Sequence, residues 1–423
     1  MKAYRGEILS VPDDPAVAGA EAIRHFEDGL LVVEGGLVVF CGHHTDKFAD
    51  VDTEQLEGLI VPGFVDAHVH YPQIECIASH GEQLMSWLER HIFPAEKAFA
   101  DRAHADSVAA FFLDELLRHG TTSALVFATV HPGSVDALFD AALIRDMRIV
   151  SGKVLMDLGP EGLRDTVASG RADTEALIAR WRGRGRLGYA VTPRFAPTSS
   201  SEQLADAGRL IAEHPGVLLH THLSENPGEI AFVAERFPEA KDYLDVYDRF
   251  GLVGSRSVFA HCVHMSERAL ARMADAGSGI AFCPTSNLFL GSGLFDLAGA
   301  DRHGVGIGIG TDIGAGTSLS VLHTLGEAYR ICQLKGASLD PFRALHLATA
   351  GGAGVIGIGD RVGGLLPGQE ADFIVLDEGA TPLLARRCAG ASLHDRLFAL
   401  QVLGDDRAIA ATYLRGHRAY ERR

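Results

Sequence analysis

Eight short, nearly unbroken apolar runs follow one another through the middle of the chain, at residues 60–65, 123–128, 149–156, 187–191, 217–219, 257–260, 279–282 and 304–309. Longer amphipathic stretches separate them, and those at 105–118, 202–213 and 266–276 are helix candidates. A strand that alternates apolar and polar residues covers one face of a core. A strand that is apolar throughout is buried on both faces, as parallel strands roofed by helices are. Eight such units predict an α/β fold, a (β/α)8 TIM-like barrel, although a doubly wound sheet would give a similar alternation. With 423 residues, 47% of them hydrophobic, the chain is long enough for that barrel and a smaller satellite.

The satellite is expected from the two ends. Leu30-Leu31-Val32-Val33-Glu34 and Leu37-Val38-Val39-Phe40 flank Gly35-Gly36, two apolar runs across a hairpin turn. Past the eighth run, the turn-rich Val362-Gly363-Gly364-Leu365-Leu366-Pro367-Gly368-Gln369 leads to a short strand, Asp372-Phe373-Ile374-Val375-Leu376. Residues 408–414 and a turn at Gly416 end the chain. The expected division is a small β-sandwich domain built from both termini, 1–60 and 359–423, with the barrel at 61–358.

A formal net charge of −17 argues against a nucleic-acid surface and leaves room for a small ligand. The N-terminus lacks a secretory apolar stretch, and no apolar segment approaches the ~20 residues of a bilayer span, so no membrane partner is expected. Six scattered cysteines without a Cys-x-x-Cys pair read as reduced core thiols, which fits a cytoplasmic protein.

Polar residues fall where the runs end. Catalytic groups of a barrel sit at the C-terminal ends of its strands. The first run leads into Asp66-Ala67-His68-Val69-His70, the fifth into His220-Thr221-His222, the sixth into His261 and the eighth into Thr311-Asp312. Side chains two apart on a strand share a side, so His68 and His70 can meet on one ion. A single histidine at a strand end is more often a hydrogen-bonded structural residue, and among 20 histidines chance pairs are expected. His220 and His222 form such a pair; His222, ~6.6 Å further along the strand, is the better candidate. Four strand ends each offering His or Asp are much harder to obtain by chance. Imidazoles with one carboxylate suit zinc or ferrous iron better than magnesium or calcium.

Pro62-Gly63-Phe64-Val65-Asp66-Ala67-His68-Val69-His70 resembles the entry motif of the amidohydrolase superfamily, and its continuation Tyr71-Pro72-Gln73 resembles the guanine deaminase family in particular. Ile92-Phe93-Pro94-Ala95-Glu96, Gly152-Lys153-Val154-Leu155-Met156-Asp157 and Thr192-Pro193-Arg194-Phe195-Ala196-Pro197-Thr198 match further. So do Thr221-His222-Leu223-Ser224-Glu225-Asn226, Ala260-His261, Cys283-Pro284-Thr285-Ser286-Asn287-Leu288 and Gly310-Thr311-Asp312. The likeness runs in order from residue 61 to the 320s.

It implies a metal site of His68, His70, His222, His261 and Asp312, with one Zn2+ per chain. Glu225 is implied as proton shuttle and Asp312 as its catalytic partner. Gln73, Arg194 and Phe195 are implied as the guanine pocket, with His222, Glu225 and Asp312 also at the substrate. The implied reaction is hydrolytic deamination of guanine to xanthine and ammonia in purine catabolism, by a homodimer. Zinc lowers the pKa of a bound water far below that of bulk water, toward about 7. Arg194 is a planar, permanently charged donor fork, and Gln73 has both donor and acceptor. Binuclear relatives use a lysine at the end of strand four; here that strand ends Val191-Thr192-Pro193-Arg194. Lys153, in strand three, reads as half of a structural ion pair, so one metal is expected.

Three residues depart from the family pattern: His91 where Tyr is common, His220 where Gln is usual, and Cys262 where Gly is usual. They leave room for drift in substrate preference. The competing readings are a deaminase or dechlorinase acting on another purine, a pterin or a triazine, a catalytically silent barrel serving as a scaffold, and a binuclear cyclic-amide hydrolase. A silent relative typically loses metal ligands, and the binuclear hydrolase requires the strand-four lysine.

Overall fold

The computed structural model describes residues 1–81 and 83–423. Four strands come first: β1 (Lys2–Ser10), β2 (Arg24–Glu34), β3 (Leu37–His43) and β4 (Thr53–Pro62). The expected hairpin joins β2 to β3, with Glu34 paired to Leu37 and positive φ at both Gly35 and Gly36. Two left-handed residues in a two-residue loop match the twist of the flanking strands.

The barrel follows as β5 (Phe64–His70), β6 (Thr121–Phe127), β7 (Arg148–Gly152), the two-residue β8 (Val154–Leu155), β9 (Gly188–Pro193), β10 (Leu218–Leu223), β11 (Ser257–His261), β12 (Gly279–Phe282) and β13 (Gly306–Ile309). Setting β8 aside, these are eight parallel staves in the order β5-β6-β7-β9-β10-β11-β12-β13. Nearly every stave residue is buried, which is why the sequence reads as unbroken apolar runs. Helices Arg102–Arg118, Ser201–Glu213 and Glu267–Ala276 lie at the expected positions, the last capped by the Ser266 side chain.

The first apolar run is not one strand. It divides between the end of β4, which belongs to the other sheet, and the start of β5. Gly63 makes the joint, and a Cβ there would meet the Thr122 hydroxyl at 2.3 Å. The third run also breaks, at Lys153, between β7 and β8. The buried Lys153 ammonium meets Asp165 at 2.5 Å, the expected structural ion pair.

After the barrel come β14 (Phe373–Leu376), β15 (Ile409–Leu414) and β16 (His417–Glu421). Strands from both ends build a seven-stranded mixed sheet in the order β16-β15-β14-β4-β1-β2-β3. Stacked Phe373 and Tyr413, with Tyr4 edge-on to both, form its aromatic core.

The barrel ladder stops at β13, and its two ends are joined differently. Asp66 on β5 accepts from the Thr311 backbone N–H (3.0 Å) and from the Thr311 hydroxyl, while the Asp312 N–H donates to the His68 carbonyl (2.9 Å). Gly310 permits this approach: a Cβ there would lie 3.0 Å from the His68 Cβ and from the Cys283 sulfur.

Candidate metal centre and pocket

The C-terminal ends of β5, β10 and β11 and the residues after β13 deliver four imidazoles and a carboxylate to one point. Nε2 of His70 lies 3.2 Å from Nε2 of His68 and 3.1 Å from Nε2 of His222. Asp312 Oδ1 is 3.2 Å from His68 Nε2 and 3.5 Å from His70 Nε2, and its Oδ2 is 3.7 Å from His261 Nε2. Nitrogens bound at about 2.0–2.1 Å around a tetrahedral ion lie about 3.3 Å apart. The spacing of these rings fits a shared cation.

Hydrogen bonds behind the rings fix which nitrogen faces inward. His222 Nδ1 donates to the Arg194 carbonyl (2.7 Å), and His261 Nδ1 meets the Asn287 side-chain oxygen (2.9 Å). His68 Nδ1 lies 2.7 Å from His220 Nε2. With Nδ1 carrying the proton, each of these Nε2 atoms turns a lone pair inward. His70 Nδ1 is buried and finds no partner among the described residues.

Burial, reinforced by the neighbouring imidazoles, holds His68, His70 and His222 well below the usual histidine range, so they are neutral at pH 7. Burial presses His261 down as well, but Glu225 and Asp312 outweigh it and raise its pKa. Burial raises Asp312, against the pull of His261. Lone pairs and a carboxylate packed in this way, out of water, have the donor chemistry of a divalent metal site with imidazole and oxygen ligands. Cys283 sits at the same cluster; burial lifts its thiol well above its ordinary pKa, and the sulfur donates to the Ala281 carbonyl (3.4 Å).

The backbone is held in unusual conformations around this point. Ser224, His261, Cys262 and Asp312 all have φ between 50° and 69°, the left-handed region costing side-chain-bearing residues roughly 1–2 kcal/mol each. Cys262 therefore stands at a position whose geometry suits glycine.

Glu225, three residues beyond His222, reaches back so that its Oε2 lies 3.5 Å from His261 Nε2. Burial pushes its carboxyl up to about 7, and Ser292 donates a hydrogen bond to Oε1 (3.1 Å). A pocket opens over these groups. Gln73, Arg194 and Phe195 line it together with Leu84, Trp87 and Leu88. All the residues singled out from the sequence for metal, proton transfer and pocket thus meet here. His220 lies behind His68, outside the inward ring of donors. His91 faces away, its ring 3.1 Å from the His80 carbonyl.

Four supporting residues had no role in the sequence reading: Asp66, Glu96, Asn287 and Ser292. Three of them stand in stretches quoted above, where a polar residue in apolar company is the only signal. Ser292 has none beyond its two flanking glycines.

The amidohydrolase family model matches residues 59–419. The guanine deaminase of Escherichia coli K12 is 50% identical over 432 aligned positions, covering 100% of this chain and 98% of that protein. A solved structure of E. coli guanine deaminase superposes with a TM-score of 0.97 at 49% identity, covering 100% of both chains. A guanine deaminase structure from C. acetobutylicum with guanine bound in its active site gives 0.92 at 27% identity, over 99% of this chain and 100% of that one.

Proposed function

The chain belongs to the amidohydrolase family, and from that premise we propose that it is a hydrolase of cyclic amidine C–N bonds that converts guanine and water to xanthine and ammonia. The observation that carries the reading is the convergence of His70 Nε2 with the Nε2 atoms of His68 (3.2 Å) and His222 (3.1 Å) and with Asp312, at a pocket lined by Gln73 and Arg194. We assign His68, His70, His222, His261 and Asp312 to a single Zn2+. The ion supplies Lewis acidity, bringing the pKa of water toward about 7. One ion rather than two is supported by Lys153 being spent on Asp165, away from the end of the fourth stave, β9.

Asp312 takes a proton from the attacking water, which adds at C2 of the base. Glu225, its carboxyl lifted to about 7, donates a proton to the ring nitrogen beside C2, where negative charge would otherwise collect. It then takes the proton of the new C2 hydroxyl and delivers it to the amino group, which leaves as ammonia while the C2 carbonyl forms. The proton held by Asp312 returns Glu225 to its acid form. Gln73 and Arg194 orient the base through its polar edge, and Phe195 stacks on it. The six buried, unpaired cysteines support a cytoplasmic location, and the reading extends to a homodimer acting in purine catabolism.

Ammonia release from guanine, adenine, 8-oxoguanine and cytosine, with elemental analysis of the same sample, tests this. Guanine is expected to be the preferred substrate, with about one zinc per chain. Metal-replete protein that frees no ammonia from guanine would end the proposal. Arg194→Ala is expected to depress guanine turnover and leave metal content intact.

A further inference from the structure

Glu96 is completely buried beside the pocket and takes no part in the metal site or proton transfer. Its Oε1 accepts from Gln73 Nε2 (3.1 Å) and from an Arg194 guanidinium nitrogen (2.9 Å), and its Oε2 accepts from the same Arg194 nitrogen at 2.7 Å. The Arg194 guanidinium is also held over the Phe93 ring, 5.4 Å from its centroid.

A carboxylate only accepts and a guanidinium only donates, whereas an amide does both and can be turned either way. The contact with Glu96 removes that freedom: the Gln73 amide must turn its NH2 toward the carboxylate, and its oxygen is the atom left for the pocket. Arg194, anchored by the same carboxylate, keeps donors for the ligand. The wall then carries one fixed acceptor and one fixed set of donors.

We propose that Glu96 is a specificity-determining positioning residue. By locking the Gln73 amide with its oxygen inward beside the donor fork of Arg194, it selects bases that present a carbonyl and a ring N–H over bases that present an exocyclic amine and a bare ring nitrogen. This deepens the guanine reading and rests on it. Guanine has the first pattern. 2,6-Diaminopurine carries the same 2-amino leaving group with the second pattern, so the two compounds separate recognition from chemistry. Reversing a donor–acceptor match leaves buried polar groups facing like groups, which binding sites reject strongly.

The test compares kcat/KM for guanine and for 2,6-diaminopurine in the wild type and in Glu96→Gln, with metal content and melting temperature measured on each. The substituted amide can donate as well as accept, so Gln73 loses its fixed orientation. The preference for guanine should shrink by at least about tenfold, mainly through a higher KM for guanine, at unchanged metal content. The double variant Gln73→Glu/Glu96→Gln puts an acceptor-only group back on the pocket wall and should recover most of the preference.

A folded, metal-replete Glu96→Gln protein that keeps the wild-type preference overturns the proposal, as does a double variant no better than the single one. If Glu96→Gln does not fold, Gln73→Met reads the same preference without disturbing the ion pair, and an unchanged ratio there overturns it equally. A wild-type protein inactive on guanine removes the underlying functional reading instead, which is a separate outcome.

Discussion

The two ends of the barrel both bury charge, and they treat it in opposite ways. At the N-terminal end, Arg148 opens β7 and Arg186 precedes β9, while Glu370 and Asp372 lead into β14 of the terminal sheet. Arg148 meets Glu370 at 2.9 Å, Arg186 meets Glu370 at 2.7 Å and also pairs with Asp372, and the Arg415 N–H donates to Asp372 at 2.8 Å. Every charge there has an opposite partner, although burial, with Glu370 nearby, still raises Asp372 against the pull of Arg186. Burial would raise Glu370, but Arg148 and Arg186 outweigh it and hold it below the usual carboxylate range. At the C-terminal end, lone pair faces lone pair and the carboxyls of Asp66 and Glu225 are pushed up to about 7. Burial of charge alone therefore does not mark a working site. Conflict among the buried groups does, because it persists only where a ligand or a reaction resolves it.

Four substitutions test this contrast. The largest effect is expected for Glu225→Gln, which should keep the metal and lower turnover about a thousandfold in steady-state assays. A near-normal rate would remove Glu225 from the chemistry. Arg186→Met attacks the opposite end. It strands Asp372 in a buried position and should cost about 3 kcal/mol in denaturant unfolding, with turnover per folded molecule unchanged. If it instead slowed catalysis at full stability, the two ends would not be independent.

Ser292→Ala withdraws the hydroxyl that holds Glu225 Oε1 and should reduce kcat about fivefold, the equivalent of one ordinary hydrogen bond. An unchanged kcat would show that Glu225 is positioned by its own backbone. Cys262→Gly is the smallest. Relief of the left-handed backbone is offset by loss of a buried thiol, so stability should move by less than about 1 kcal/mol.

The sequence made the barrel and its donors legible for one reason: parallel staves are apolar throughout, so a histidine or aspartate at the end of a run stands out. The terminal hairpin was equally readable, because Gly35-Gly36 allows few other turns. The run at 60–65 misled because nothing in its hydrophobicity marks where one sheet hands over to the other. Only the crowding of Gly63 against Thr122 does so, and that contact spans 59 residues. The same limit hid Glu96. Its partners Gln73 and Arg194 lie 23 and 98 residues away, and no local pattern joins them.

The joint between β5 and β13 has a mechanical meaning. Elsewhere the cylinder is stitched stave to stave by backbone ladders; here it is buttoned by the side chain of Asp66 on Thr311 and by one bond from Asp312 to His68. Parting the cylinder at this line would pull His68 and His70 away from Asp312, whereas a gap at any other line would leave these three together. An ion held by His68, His70 and Asp312 would be gripped by both lips and would act as a rivet through this joint.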